Sequence, residues 1–330
     1  MATIFLTHDD DSRRNYYGAR ALEALRQLGT VRLNETGTPL ATDALIDAAA
    51  GCEIILSDRA TPGEAGLFRN AADLVAFLRC AVDIRTVDVA AASQAGVLVT
   101  NASPGFADAV AELVFGMILD RARGIGQAAA TYQAGGVPEA RMGTQLSGST
   151  LGVLGYGVIG RRVARLGRAF GMSVLVHDPY KTVEKTDVEQ VGFGDVMARS
   201  DFVVCLVVAN ERTENMIDAA ALAAMKPTAQ FINVSRGNLV DEAALAEALA
   251  AGRIAGAAMD VGRAPDQMPS PNLARLANVT ATPHIGGLTP TAIEAQAMET
   301  VEQVKALVSG KMPHNAVNPE AAKRLKKLLK

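Results

Sequence analysis

The chain alternates short apolar runs with amphipathic stretches almost from its first residue. Residues 3–7 (TIFLT), 31–34 (VRLN), 53–57 (EIILS), 74–79 (LVAFLR) and 97–100 (VLVT) have the length and the Ile/Leu/Val content of buried strands. Between them RALEALRQLG and TDALIDAAAG repeat apolar residues at helical spacing and stop at glycine. Strands separated by helical stretches predict a parallel sheet covered on both faces. Residues 107–124, apolar on most sides, predict a helix buried between two layers or domains. A second alternation opens near residue 150, with LGVLG, SVLVHD, DFVVCLVV, AQFINVS, IAGAAMDV and NVTAT as strands. RRVARLGRAFG and DEAALAEALAAG are its helices, the second with Asp241 and Glu242 at its positive end. The polar stretch 131–149 divides the two alternations and is too long for a tight turn, so it is expected to wrap a surface.

Composition adds limits. At 330 residues, with 49% hydrophobic and 20% charged positions, the chain can fill two soluble domains. A net charge of −3 gives no electrostatic reason to expect nucleic acid or an anionic membrane, and 4% aromatics with no Trp argues against stacking platforms. The basic run KRLKKLLK (323–330) reads as a solvated terminal helix. Cys52, Cys80 and Cys205 form no CxxC and no pairing pattern, which fits a reducing compartment. The start, MATIFLTHDDDSRRN, does not read as a signal peptide, and no apolar run approaches the ~18 residues of a membrane span. The expectation is a cytoplasmic protein with a small-molecule substrate and no metal, nucleic-acid or membrane partner.

Residues 151–160, LGVLGYGVIG, place G-x-G-x-x-G at Gly155, Gly157 and Gly160 between a strand and a helix, and the next strand ends at Asp178. Gly155 permits the tight turn, Gly157 lets backbone approach a pyrophosphate, and Gly160 lets helix pack on strand, so a dinucleotide is expected at this turn and the helix N-terminus after it. Asp178 would accept from the adenosine ribose hydroxyls and repel a 2′-phosphate, favouring NAD over NADP. Arg236 follows a strand in FINVSRGNLVDEAAL; its fork suits either a carboxylate ligand or a structural ion pair. His284 follows a strand in ATPHIGGLTP, where an acid/base role competes with a structural one. In MDVGRAPDQMPS (259–270), Asp260 ends a strand, while Asp266 lies between Pro265 and Pro269 and is either solvent-facing or half of a catalytic pair.

These segments together resemble the D-isomer-specific 2-hydroxyacid dehydrogenases, through VTNASPGFADAVAEL, LSGSTLGVLGYGVIG, FGMSVLVHDPY, NVSRGNLVDEAAL, IAGAAMDV, TPHIGGLT and GKMPHNAVN in family order. The resemblance implies an α/β protein with two doubly wound parallel-sheet domains. A Rossmann NAD-binding domain at 102–289 is inserted into a flavodoxin-like substrate domain formed by 1–101 and 290–330. It implies hydride transfer between NAD and a 2-hydroxy or 2-keto acid, with Arg236 on the carboxylate and His284 moving the hydroxyl proton. The cofactor would lie on Tyr156, Gly157, Val158, Ile159 and Gly160, with Val234, Ser235, Arg236, Asp260, His284 and Gly286 on the nicotinamide side, and a homodimer is implied.

Two positions depart from the family pattern. The Glu that supports the catalytic His five residues after the strand-end Asp is replaced by Pro265, which leaves Asp266, or Gln267 without charge, as its nearest substitute. In RCAVDIRTVD (79–88), Ala81 and Asp83 stand at two glycine positions of the substrate loop and Arg85 at an Asp position. Ala81, Val82, Asp83 and Arg85 would then meet the substrate, unless Asp83 and Arg85 pair with each other. The competing functions are an NAD(H) sensor with weak or no turnover and a dehydrogenase of the same fold acting on another carbonyl compound.

Overall fold

The structure, a computed structural model, describes residues 2–183 and 187–328, and the side chain of Asp266 lies outside what is described. The chain divides into two units, one of residues 1–106 with 289–330 and one of 107–288. The described part of the first holds a parallel five-stranded sheet in the order β2-β1-β3-β4-β5, with β1 at Ala2–Leu6, β2 at Gly29–Leu33, β3 at Ile54–Ser57, β4 at Ala76–Arg79 and β5 at Leu98–Thr100. Alternate residues serve opposite faces, as the two-residue period of a strand requires. Ile4, Leu6, Ile54, Leu56, Ala76 and Leu78 pack under Tyr17, Leu25 and the returning helix Pro290–Val308. Phe5, Ile55, Phe77 and Val99 pack against Leu45, Leu67 and Phe68 on the other face.

The described part of the second unit holds a parallel seven-stranded sheet in the order β12-β11-β10-β9-β6-β7-β8. These are β6 (Thr150–Leu154), β7 (Ser173–His177), β8 (Glu189–Gln190), β9 (Phe202–Cys205), β10 (Gln230–Asn233), β11 (Gly256–Met259) and β12 (Val279–Ala281). Strand order reverses at β6/β9, where an open α/β sheet binds its ligand. The apolar helix Ala107–Arg123 is buried within this unit, against helix Val158–Ala169 and strands β10 and β11.

Three local expectations change. The strand expected over 201–208 ends at Cys205, because the chain then turns into a loop whose Val207 carbonyl accepts the Ser235 hydroxyl. The stretch 131–149 is helical over its first three residues, which finish helix Ile125–Gln133. The basic terminus is a 3₁₀ segment, Lys323–Lys327, rather than an α-helix, with Lys323, Lys326 and Lys327 exposed, and its last two residues lie outside the described ones. Two of its cations cap carbonyls: Arg324 Nη1 donates to the oxygens of Ala71 (2.8 Å) and Leu74 (2.9 Å), and Lys327 Nζ donates to that of Ala72 (3.1 Å). No described helix is long and apolar enough to cross a membrane, and no group of metal-ligating side chains occurs among the described residues.

Candidate active site

In the second unit, sheet order sets a row of loops along the carboxyl edge. His284 follows β12, Asp260 follows β11, Arg236 follows β10, the glycine turn follows β6 and Asp178 follows β7. At the turn, Gly155 has φ +95°, and a Cβ there would meet the backbone of Leu206 just past β9. Only glycine enters that conformation without strain. A Cβ on Gly160 would run into the carbonyl oxygen of Gly155, so this glycine is needed for close packing of helix on strand. A Cβ on Gly157, by contrast, would have nothing within 4 Å. Helix Val158–Ala169 starts directly after it, with Gly157 as N-cap and no side chain covering the first N–H groups. That combination of open space, uncovered donors and positive dipole suits a pyrophosphate. Asp178 accepts from the N–H of Tyr156 (2.8 Å) and of Tyr180 (2.9 Å), one bond per oxygen. A carboxylate has about four acceptor positions, so capacity remains for ribose hydroxyls. Arg162, at the first turn of the helix, forms an ion pair with Asp108.

The other end of the row is held by two buried side chains. Asn233, fully buried at the end of β10, accepts from Ser235 N–H (3.0 Å) and donates to the Arg236 carbonyl (2.9 Å). Gly237 lies against the backbone of Gly262, where any Cβ would collide. Arg236 is thus fixed on both sides; it is half-buried and its Nη1 donates to the Ser235 carbonyl at 2.7 Å. Val234 is buried beside it. Asp260, 1% exposed, spends both oxygens on the loop after β12. It accepts from the Thr282 hydroxyl (2.6 Å), Ile285 N–H (2.8 Å) and Gly286 N–H (2.8 Å), while its own N–H donates to the Asn233 carbonyl (3.0 Å). Asp260 therefore couples the arginine loop to the histidine loop. Gly286 sits so close to it that a Cβ would press on Oδ2. Half-buried His284 has φ +55°, a left-handed conformation that is uncommon outside glycine and gathers at functional sites.

The loop after Asp260 closes on itself, with Gly262 N–H donating to Gln267 O (2.8 Å) and Ala264 N–H to Met268 O (3.1 Å) around the 3₁₀ turn Pro265–Gln267. Gln267 is also left-handed, at φ +58°, and its Oε1 is buried without a hydrogen-bond partner. Arg263 anchors the loop through Glu214 (2.8 Å), Asn215 (2.5 Å) and the carbonyls of Asn238 and Val240. Hydrogen bonds from Asn238 and Arg263 hold the Glu214 carboxyl below its usual range. Sequence reasoning missed Asn233, Arg263 and Thr282. Asn233 alone carried a signal, as a polar residue at the buried end of an apolar strand.

In the first unit the segment after β4 is tied back to its neighbours. Ala81 O accepts from Ala102 N–H (3.0 Å) and Val82 O from the Asn101 amide (3.0 Å). Asp83 and Arg85 do pair: Nε and Nη2 of Arg85 reach both Asp83 oxygens at 2.7–3.1 Å, and these hydrogen bonds raise the arginine pKa further. Cys80 just before them is buried, and burial pushes its thiol up to about 12, which leaves it unreactive.

The glycine turn at a switch point and an acid ending the next strand define the second unit as a Rossmann-type dinucleotide-binding domain. Comparison with known proteins makes the class specific. Residues 115–286, over half the chain, match the D-isomer specific 2-hydroxyacid dehydrogenase NAD binding domain. The D-3-phosphoglycerate dehydrogenase of Methanocaldococcus jannaschii is 34% identical over 304 residues, covering 90% of this chain. The chain spans only 57% of that relative's length. Among solved structures, a Thermus thermophilus protein superposes with a TM-score of 0.86 at 29% identity, covering 96% of this chain and 99% of its own. D-2-hydroxyisocaproate dehydrogenase superposes with a TM-score of 0.86 at 25% identity, covering 96% and 100%. The chain belongs to the D-isomer specific 2-hydroxyacid dehydrogenase family, and its second unit is that family's NAD-binding domain.

Proposed function

We propose that the protein is an NAD-dependent dehydrogenase interconverting a 2-hydroxy acid and its 2-keto acid. The observation that carries this reading is the buried Asp260, which joins the Arg236 and His284 loops at adjacent strand ends. A cofactor-binding fold alone needs neither side chain. Bound NADH supplies the hydride. Arg236 grips the substrate carboxylate through its fork and polarises the C2 oxygen. His284 delivers a proton to that oxygen in reduction and removes it in oxidation. Asp266 is assigned the supporting carboxylate, because it is the one acid between Asp260 and His284 in the sequence. Ala81, Val82, Asp83 and Arg85 are assigned to substrate recognition. Asp178 selects NAD over NADP, and the working form is a homodimer.

Spectrophotometric NADH oxidation over a panel of 2-keto acids tests the reading. His284→Ala is expected to lower kcat roughly 10²–10⁴-fold, the usual worth of a general acid, with NADH affinity retained. Turnover unaffected by His284→Ala would sink the mechanism. The presence of Pro265 in place of a His-supporting acid favours one other reading, an NAD(H) sensor, which would bind NADH tightly and turn over nothing in the panel.

A further inference from the structure

Resting on the reading above, in which loop 81–85 meets the substrate, we propose that the substrate is a 2-hydroxy acid whose carboxylate is its only anionic group. On this assignment the enzyme discriminates against phosphorylated acids, unlike the phosphoglycerate for which its Methanocaldococcus relative is named.

In a parallel sheet of order 2-1-3-4-5 the ligand crevice lies at the carboxyl ends of β1 and β3. Here that point is filled. The Thr7 hydroxyl donates to Asp58 Oδ1 (3.0 Å), and Asp58 N–H donates to Thr7 Oγ1 (2.9 Å), both buried. Ligand contacts on this edge therefore fall to the loops beyond it. A phosphate carries close to two negative charges, and proteins receive it with guanidinium forks or ammonium groups not already spent on carboxylates.

The loops after β1, β3 and β4 and the helix Asp10–Tyr16 contain no lysine, and their arginines, with Arg79 at the end of β4, each have a partner. Arg13 pairs with Asp10, and Arg14 pairs with Asp11. Arg59 is engaged as well. Arg79 is fully buried, and its guanidinium donates to Ser57 Oγ (3.0 Å), Thr61 O (2.9 Å), Asp58 O and Thr86 Oγ1, clamping the loop after β3 to the loop after β4. Arg85 is held bidentately by Asp83, whose side chain is 21% exposed against 53% for the arginine. Asp83 occupies the Nε and Nη2 edge and neutralises the guanidinium, so a second anion here would be limited to the remaining Nη donors and would lie beside that same carboxylate. The remaining loop side chains, Ala81, Val82 and Ile84, are apolar and half-buried, which fits an uncharged substrate tail.

The test is calorimetric binding of D-glycerate and of D-3-phosphoglycerate to the NAD-loaded protein, two acids that differ only in the phosphate. Binding of D-3-phosphoglycerate that is undetectable, or at least 10-fold weaker than that of D-glycerate, is the expected result. Equal or tighter binding of the phosphorylated acid would overturn the proposal. Asp83→Asn releases Arg85 from its bidentate carboxylate and is expected to improve D-3-phosphoglycerate affinity about 10-fold, with NADH affinity and circular dichroism unchanged. No gain in that variant would overturn the assignment of the discrimination to this pair. These outcomes rest on binding, so absence of turnover with every 2-keto acid would defeat the dehydrogenase reading separately.

Discussion

His8, directly after β1, should make the stability of the first unit depend on pH above the carboxylate range. It is 1% exposed, its ring packs on Tyr17 with centroids 5.1 Å apart, and its Nδ1 is buried with no hydrogen-bond partner. Burial lowers its pKa from 6.5 to about 4; Asp58 and Asp9 oppose the shift, while Arg13 and Arg79 add to it. The native imidazole is therefore neutral at a pH where the unfolded one is already charged. With the folded value depressed, the stabilisation is complete above the unfolded pKa and is lost as pH falls from 6.5 through about 4. At ~1.4 kcal/mol per pH unit the full loss is about 3 kcal/mol, and about 2 kcal/mol is gone between pH 7.5 and pH 5. Asp9 contributes nothing in that interval, since the Ser12 N–H and hydroxyl lower a pKa that starts at 3.8. The protein has no Trp, and the two units need not unfold together, so the readout is hydrogen-exchange protection of the β1 amides of Ile4–Leu6. His8→Phe keeps the apolar contact with Tyr17 and cannot titrate. Protection in the parent should fall by about 2 kcal/mol more than in His8→Phe on going from pH 7.5 to pH 5. Equal pH dependence in the two proteins would refute the reasoning.

Other perturbations address the second unit. Gly160→Ala forces a Cβ into the Gly155 carbonyl. A backbone adjustment costing roughly 1–3 kcal/mol should appear as a 10- to 100-fold loss of NADH affinity in a fluorescence titration. Asp260→Ala strands two backbone N–H groups and the Thr282 hydroxyl. At about 1–3 kcal/mol per unsatisfied buried donor, Tm and kcat should fall together. Asp178→Ala removes the ribose acceptor and its repulsion of a 2′-phosphate, so the kcat/KM ratio of NADPH to NADH should rise about 10-fold or more. Asp266→Asn, if the acid supports His284, should lower kcat about 10-fold or more with KM little changed, and should add little further loss on top of His284→Ala.

Much of this architecture was legible because period and chemistry agree along the chain. Phe5, Ile55 and Phe77 serve one face of the sheet and Ile4, Leu6 and Leu56 the other, so both faces are apolar and each strand reads as a short continuous apolar run. Gly155 and Gly160 were legible for a related reason, since their lack of a side chain is itself the requirement. The sites that were not legible depend on long-range pairings. Asn233 and Thr282 look like ordinary polar residues until Asn233 grips the backbone around Arg236 and Thr282 joins the Asp260 anchor. Arg263 looks like a surface charge until Glu214, Asn215 and two carbonyls converge on it. The strand expected through 208 failed for the same reason. Apolar content continues past Cys205, but the Ser235 hydroxyl takes the Val207 carbonyl and turns the chain toward the arginine loop. The pair Asp83–Arg85 is a harder case, because sequence spacing allows two opposite outcomes. Both charges could have pointed at a ligand; in the fold they neutralise each other at 2.7–3.1 Å. Relative to the family pattern, Asp83 in place of a glycine and Arg85 in place of an Asp exchange a lone acid for a matched ion pair, so the loop has one negative charge fewer. That is why substrate identity is better argued from the partners of Arg85 than from the overall likeness of the chain to its relatives.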